Sequence, residues 1–153
     1  MYLQNNDGHI IIVLYFYDLL IIGSTVASIS AIKTALHNAF EMSDLGLLKQ
    51  FLGLEIEQNF DGIMVTQSKY ISDLLFNFNM AECGSVPFPL LLGINLEEGK
   101  ITPPMDCIIY RQLIGSLLHL TYSRPDICYA MNVVSRYMKQ PHDLNWKVAK
   151  RIL

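Results

Sequence analysis

The stretch Val13-Leu14-Tyr15-Phe16-Tyr17-Asp18-Leu19-Leu20-Ile21-Ile22-Gly23 places one carboxylate inside an apolar run. Residues 9–15 and 19–22 form two segments rich in β-branched and aromatic side chains, which are typical of strands. Because only Phe16, Tyr17 and Asp18 separate them, they predict a tight β-hairpin with Asp18 at its tip. The run is also shorter than the roughly 20 apolar residues that a membrane-spanning helix needs. We therefore expect paired strands and no membrane association.

The chain continues with a predicted helix and a second hairpin. Ser24 or Thr25 can cap a helix, and apolar residues then recur at helical spacing, at Val26, Ile29, Ile32 or Lys33, Leu36 and Phe40. Residues 51–58 alternate between apolar and polar, which predicts a half-buried strand. Residues 59–62 contain an Asp-Gly turn signal and lead into a strand at 63–66.

Helices dominate the remainder. Ser68 is the predicted cap of a helix whose apolar stripe consists of Ile71, Leu74, Leu75 and Phe78. The Pro- and Gly-rich residues 84–104 predict a long irregular connection, which often marks a subdomain boundary. Helical periodicity resumes near Tyr110, from Asp126 and from Asp143. Because antiparallel strands come first and helices follow, the predicted fold class is α+β.

Composition and charge exclude some classes of protein and indicate which surfaces can bind a partner. The chain has 153 residues, of which 52% are hydrophobic and 16% charged, so a disordered chain is excluded. Its mean hydropathy of +0.31 suggests an apolar surface that expects a partner. Residues 1–100 carry 4 Lys/Arg against 11 Asp/Glu, whereas residues 101–153 carry 7 against 3. Phosphate binding depends on such local basic regions, although a solvated helical face is the more common explanation of them.

Cysteine and histidine spacing predicts neither a metal site nor a disulfide framework. Cys83, Cys107 and Cys128 are far apart and odd in number, and we expect them to be buried free thiols in a reducing, intracellular compartment. No basic segment precedes the apolar run, so a secretory signal peptide is not expected. The four histidines share no spacing with a nucleophile or with one another and are interpreted as ordinary.

Residues 13–23 resemble the active-site hairpin of copia-type long-terminal-repeat retrotransposon reverse transcriptases, which reads Leu-Tyr-Val-Asp-Asp followed by an apolar residue. Further matches follow in the order of that family and cover nearly the whole chain from about residue 9, at 40–46, 51–56, 62–63, 67–71, 110–118, 123–127, 146 and 149–153. A lone Asp in a turn is commonly only a turn residue. The ordered blocks favour a polymerase site instead.

The resemblance implies a partial polymerase palm at residues 1–66, with an active-site hairpin and a primer-grip-like hairpin. A thumb-like helix would follow at 67–83, an irregular connection at 84–109, and a helical connection towards a ribonuclease H domain at 110–153. Asp18 would be a catalytic, Mg²⁺-binding aspartate, and Tyr17 occupies the place of its partner aspartate. A tyrosine phenol is neutral at pH 7 and is a poor Mg²⁺ ligand. The resemblance places the family's third aspartate on a strand upstream of Met1, so one carboxylate of three remains, and we expect no polymerisation by this chain alone.

The resemblance also implies partners. The RNA/DNA primer-template would contact Tyr15, Phe16, Phe51, Leu52, Gly53, Leu54 and Lys69, and the rest of the Pol polyprotein would pack against this portion. A plain sheet edge explains the alternation at 51–58 equally well. Two other interpretations stay open. One is a non-catalytic nucleic-acid-binding or assembly module, and the other is an unrelated apolar interaction domain.

Overall fold

The computed structural model describes residues 2–5, 8–90 and 93–153. The chain divides into two compact units, Met1–Leu47 and Leu48–Leu153. Strands and helices occur in both, in the order expected for the α+β class, so the predicted fold class is confirmed. No helix within the described ranges is long and apolar enough to cross a membrane.

The first unit is a three-stranded antiparallel sheet with one helix. Strands β1 (Tyr2–Asn5), β2 (Gly8–Tyr15) and β3 (Asp18–Gly23) lie in the order β1-β2-β3. The predicted hairpin is confirmed as β2 and β3, whereas β1 was not predicted. Among the unit's described side chains, Ile10 alone is buried. This unit therefore has a thin core, and its packing relies on partly exposed apolar residues.

Helix α1 (Val26–Ala39) packs against β2 and β3. Its cap is Thr25, whose Oγ1 accepts a hydrogen bond from the backbone N–H of Ser28 at 3.2 Å, as predicted. Ile29, Ile32 and Leu36 form a half-buried stripe. Val26 and Phe40, which were predicted to extend that stripe, are exposed. They lie at the helix ends, beyond the part that faces the short strands.

The segment after α1 is held by a carboxylate. Lys33 Nζ contacts both carboxylate oxygens of Asp44 at 2.9 Å, and the backbone N–H of Gly46 donates to Asp44 Oδ1 at 2.9 Å. The hydrogen bond from Lys33, followed by that from Gly46, lowers the pKa of Asp44 below its ordinary value. Gly46 itself adopts a φ of 78°, a conformation that glycine reaches without steric cost.

The second unit begins with another antiparallel sheet, β4 (Gln50–Phe51), β5 (Leu54–Asn59) and β6 (Gly62–Thr66), in that order. The continuous strand predicted at 51–58 is wrong, because Leu52 and Gly53 form a turn between β4 and β5. The apolar residues Leu52, Leu54 and Ile56 occupy every second position across the turn, as they would along one continuous strand. Alternation alone therefore does not reveal the turn. The second predicted turn is confirmed, with Asn59 paired to Gly62.

Helices build the main core of the second unit. They are α2 (Ser68–Asn77), α3 (Cys107–Leu120), α4 (Cys128–Ser135) and α5 (Asp143–Lys150), with 3₁₀ helices at Leu96–Ile101 and Pro125–Ile127. One face of α3 is fully buried, through Tyr110, Leu113, Ile114 and Leu117. This face packs with Leu74, Met131, Val134, Val148 and Ala149. Burial of this set accounts for most of the unit's hydrophobic stabilisation.

Three local predictions need correction. The N-cap of α2 is Gln67, with Ser68 as the first helical residue, and α2 ends at Asn77. The helix predicted from Asp126 begins as a 3₁₀ turn, Pro125–Ile127, in which Pro125 occupies a position where its missing N–H costs no intrahelical bond. The cysteines are free as predicted, but Cys83 and Cys128 are exposed and Cys107 is half-buried. They lie at helix ends and in the connection, outside the buried faces.

Candidate active-site hairpin

The turn between β2 and β3 consists of two aromatic residues. Tyr15 and Asp18 are directly opposite each other in the register, so Phe16 and Tyr17 are the two turn residues. Phe16 has a φ of 51°. This left-handed conformation is uncommon for a bulky side chain and costs about 1–3 kcal/mol. The surrounding strands must therefore hold the turn in place.

Every side chain at this tip is accessible. Tyr17 is 100% exposed and Phe16 is 80% exposed. Tyr15 packs its ring edge-to-face with that of Phe16, with centroids 4.9 Å apart. Asp18 is exposed as well. The hairpin presents one carboxylate and three aromatic rings, a combination suited to contact with a polar, stackable ligand.

The hairpin tip has too few carboxylate ligands for an Mg²⁺ site made by this chain alone. Mg²⁺ prefers several oxygen ligands in octahedral geometry. Asp18 supplies one carboxylate, and its neighbours Tyr15 and Tyr17 supply phenols, which are poor ligands for this ion. Within the described part of the chain, no three His, Cys, Asp or Glu side chains gather into a group that could hold a metal.

A second two-residue turn joins β4 to β5. Phe51 pairs with Leu54, and the turn residues Leu52 and Gly53 have φ values of 51° and 81°. Positive φ at both positions is the signature of a type I′ turn, which matches the twist of the flanking strands. Gly53 meets this need without strain, whereas Leu52 carries a cost of about 1–2 kcal/mol.

Gly53 also lies against a side chain from α3. A Cβ placed on Gly53 would be 3.1 Å from Nε2 of His119. The His119 ring in turn lies edge-on to Tyr70 and Tyr122, with centroid separations of 4.8 and 5.5 Å. The Leu52–Gly53 turn is therefore supported from behind by an aromatic cluster, which we define as His119, Tyr70 and Tyr122.

Buried hydrogen bonds fix this cluster. Gln67 is 1% exposed; its Nε2 donates to the backbone carbonyl of His119 at 3.3 Å, and its Oε1 accepts from Ser123 Oγ at 2.6 Å. Tyr70 Oη donates to the carbonyl of Ser116 at 3.2 Å. The bonds of Gln67 with His119 and of Tyr70 with Ser116 join the start of α2 to α3, and the bond with Ser123 joins it to the segment after α3. The turn, α2 and α3 consequently form one connected support.

Glu55 links β5 to the same helix. Its Oε1 accepts from the backbone N–H of Lys69 at 3.0 Å, and its Oε2 accepts from Thr66 Oγ1 at 3.3 Å. The first turn of a helix leaves backbone N–H groups without intrahelical partners, and a carboxylate satisfies one of them. Glu55 thus serves as the capping group that the Gln67 side chain does not provide.

Comparison with known proteins identifies the family. A sequence model described as reverse transcriptase (RNA-dependent DNA polymerase) matches residues 1–92, more than half of the chain. The chain belongs to the reverse transcriptase family. Similarity to the retrovirus-related Pol polyproteins described below supports the predicted copia-type reverse transcriptase. No solved structure matches.

Three relatives show how the length of this chain compares with theirs. An uncharacterized mitochondrial protein of Arabidopsis thaliana is 35% identical over 144 residues, which are 93% of this chain and 59% of the relative. The Pol polyprotein from transposon RE2 of the same plant is 33% identical, over 99% of this chain and 10% of the relative. That from transposon TNT 1-94 of Nicotiana tabacum is 35% identical, over 97% and 12%. The chain thus spans less than two thirds of each relative.

The predicted site residues of this chain form two clusters, and Lys69 lies outside both. Tyr15, Phe16, Tyr17 and Asp18 cluster at the tip of the first unit. Phe51, Leu52, Gly53 and Leu54 form the turn of the second unit, where Phe51 and Leu54 are half-buried. Lys69 is exposed at the start of α2, and its backbone N–H is held by Glu55. Their predicted roles in catalysis, metal binding and nucleic-acid binding stay predictions.

Sequence reasoning missed the supporting residues. His119 was interpreted as ordinary and Glu55 was not among the predicted site residues, yet His119 backs the Gly53 turn and Glu55 caps α2. The basic C-terminal residues also have contacts of their own. Lys147 pairs with Asp143 at 2.7 Å, Lys150 lies 5.8 Å from the Trp146 ring centroid, and Arg151 Nε donates to the carbonyl of Phe88. These contacts favour a structural role for Lys147, Lys150 and Arg151.

Proposed function

We propose that the chain is the palm, thumb and connection portion of a retrotransposon reverse transcriptase and that, in isolation, it does not polymerise. The ancestral reaction is RNA-directed DNA synthesis by two-metal nucleotidyl transfer. The second part of the proposal rests on the hairpin tip, where Asp18 directly follows the two-residue turn Phe16–Tyr17. One exposed carboxylate cannot replace the set that two Mg²⁺ ions need.

The proposed role of Asp18 is that of the second aspartate of the family's pair. In the intact enzyme, the bound metal ions would activate the primer's 3′ oxygen and stabilise the leaving pyrophosphate. In this chain, Tyr17 puts a neutral phenol where the first aspartate belongs. A phenol offers no compensating negative charge, so the residues present do not fit the metal pair. We therefore assign the chain no chemical step of its own.

The proposed subdomains follow the resemblance. Residues 1–66 would be the partial palm, 67–83 the thumb-like helix, 84–109 the connection and 110–153 the approach to a ribonuclease H domain. The Leu52–Gly53 turn supports a primer-grip role, because a rigid turn with a glycine lets a nucleic-acid backbone approach closely. The His119 ring lies next to Gly53 and would back the turn, since a Cβ added at Gly53 would come within 3.1 Å of His119 Nε2.

The proposed partners are an RNA/DNA primer-template and the remainder of a Pol polyprotein. Tyr15 and Phe16 offer exposed rings for stacking, and Lys69 offers a cation for phosphate. The RE2 and TNT 1-94 relatives are Pol polyproteins, of which this chain matches about a tenth. Relatives of this kind support a polyprotein as its source.

A primer-extension assay tests the proposal. The chain is incubated with a DNA primer on an RNA template, deoxynucleotides and Mg²⁺, and we expect no extended product. A polymerase-competent reverse transcriptase run in parallel shows that the assay works. Templated extension that Asp18→Asn abolishes would contradict the proposal.

Binding of the same primer-template separates a decayed fragment from a non-catalytic binding module. A binding module gives an affinity that falls steeply with salt, because phosphate contacts release counterions. Lys69→Gln would weaken that affinity, and Lys49→Gln, a neutral exchange at another exposed lysine of the same unit, is the matched control. Equal loss in both variants would indicate unspecific charge attraction.

A further inference from the structure

Strand β6 is an exposed apolar sheet edge. It lies at the outside of the β4-β5-β6 sheet, and residues Gly62, Ile63, Met64 and Val65 are exposed. The strand contains no charged residue and no proline. Natural proteins protect sheet edges with lysine, proline, bulges or covering segments, since a bare edge pairs readily with another strand. β6 contains neither a lysine nor a proline.

The register shows which backbone groups face outwards. Ile56 lies opposite Val65, and the N–H of Ile56 donates to the carbonyl of Lys49 on the β4 side at 2.8 Å. Ile56 and Val65 are therefore a non-hydrogen-bonded pair in the β5–β6 ladder. The N–H and C=O of Val65 point away from β5, and those of Ile63, two residues earlier, do the same.

We propose that β6 is a homodimer interface, in which two copies of this chain pair their β6 strands antiparallel about a two-fold axis at Met64. In this register, Ile63 of each copy lies opposite Val65 of the other. Each such pair can exchange both of its backbone hydrogen bonds, because all four groups face outwards. The two three-stranded sheets become one continuous six-stranded sheet.

Self-complementarity favours a second copy as the occupant. A two-fold interface needs a surface that matches itself, and a neutral strand places no like charges opposite each other. β-branched Ile63 and Val65 meet on one face, and the two Met64 side chains meet on the other. The antiparallel direction also brings Asp61 of one copy level with Gln67, the N-cap of α2, in the other. A carboxylate beside a helix amino terminus is favourable.

Sedimentation of the full chain over a range of concentrations tests the proposal, which does not depend on the proposed function. We expect a monomer–dimer equilibrium. Val65→Lys should weaken dimerisation by about tenfold or more, since a charge then enters an apolar pair. Val86→Lys is the matched control, because Val86 is 43% exposed and Val65 is 41% exposed. We expect Val86→Lys to dimerise like the wild type.

Two further readouts keep the interpretation specific. Val65→Pro removes an outward N–H without removing a β5–β6 ladder bond, so it should prevent dimerisation while the circular dichroism spectrum stays unchanged. Amide exchange at Ile63 and Val65 should slow as protein concentration rises. A dimer that Val65→Lys leaves intact, or equal loss in both lysine variants, would overturn the proposal. A monomer at every concentration would also overturn it and leave the edge to a strand of another polypeptide.

Discussion

Tyr15 and Asp18 face each other across the β2–β3 register, with only Phe16 and Tyr17 between them. This relationship fixes Tyr17 as a turn residue next to the one carboxylate of the tip. The side chains of Tyr17 and Asp18 are both exposed. An exchange at position 17 therefore changes the ligands available there without repacking a core. The hairpin can therefore be tested by chemistry at its tip, separately from the stability of the fold.

Tyr17→Asp should create a detectable divalent cation site. A second carboxylate beside Asp18 adds an anionic oxygen ligand, and we expect Mn²⁺ affinity to rise by about tenfold, or about 1.4 kcal/mol. Paramagnetic broadening of backbone NMR signals near Asp18 measures this. Tyr17→Asn, which also removes the phenol but stays neutral, is the control. An equal gain in the Asn variant would contradict the account, because charge would then not be the deciding factor.

Gly53→Ala should destabilise the second unit by about 2 kcal/mol. A left-handed φ costs an alanine about 1 kcal/mol, and its Cβ would also press on His119 Nε2 at 3.1 Å. Gly93→Ala is the control, because Gly93 has a similar φ of 79° with open space around it. Urea denaturation should show a clearly smaller loss for Gly93→Ala. Equal losses would mean that His119 does not support the turn.

Gln67→Leu should cost about 2 kcal/mol of stability. The exchange removes the two hydrogen bonds that the buried Gln67 side chain makes to the His119 carbonyl and the Ser123 hydroxyl, both of which are partly buried. Gln112→Leu, at an exposed position of α3, should change the free energy of unfolding by less than about 0.5 kcal/mol. Thermal denaturation of both variants provides the comparison. A neutral effect at Gln67 would show that these bonds add no net stability.

Tyr110 should make stability fall at alkaline pH. Its ring is fully buried, and its Oη donates to the Val134 carbonyl at 2.8 Å. Burial, followed by the nearby Tyr137, raises the pKa of Tyr110 well above its ordinary value of 10.0. Above pH 10 the unfolded chain therefore releases this proton while the folded chain keeps it, so the free energy of unfolding decreases as pH rises.

Tyr110→Phe is expected to lose about 1 kcal/mol at neutral pH through the missing hydrogen bond. Its stability should then decline less steeply than that of the wild type above pH 10. Tyr129→Phe, at an exposed position, should follow the wild-type slope. Urea denaturation at several pH values measures all three chains. Identical alkaline slopes for Tyr110→Phe and the wild type would refute the buried-phenol explanation.

Local sequence patterns predicted those elements whose evidence is contained within a few residues. The β2–β3 hairpin follows from two apolar segments with a short gap, and α1 follows from a stripe at helical spacing with Thr25 as its cap. The Leu52–Gly53 turn was missed because Leu52, Leu54 and Ile56 keep the phase of a strand. A leucine at positive φ is also a rare turn residue.

The support behind the candidate site could not be predicted from the sequence. Gly53 and His119 are far apart along the chain, as are Gln67 and Ser123, and only tertiary packing brings each pair together. Free cysteines are commonly core residues, but here Cys107 and Cys128 begin helices α3 and α4, and Cys83 lies between α2 and α3. Long-range contacts and exceptions to burial preferences leave no periodic signal in one sequence.

The central claim is that Tyr17 disables this reverse transcriptase relative. The most direct measurement uses a chimera, in which this chain is joined to the upstream portion of the TNT 1-94 polyprotein. That polyprotein is 35% identical to this chain in the region that the two share. Primer extension on an RNA template is then compared for the chimera with Tyr17 and the chimera with Tyr17→Asp. We predict templated product only from the Asp variant. Equal extension by the Tyr17 chimera would contradict the claim.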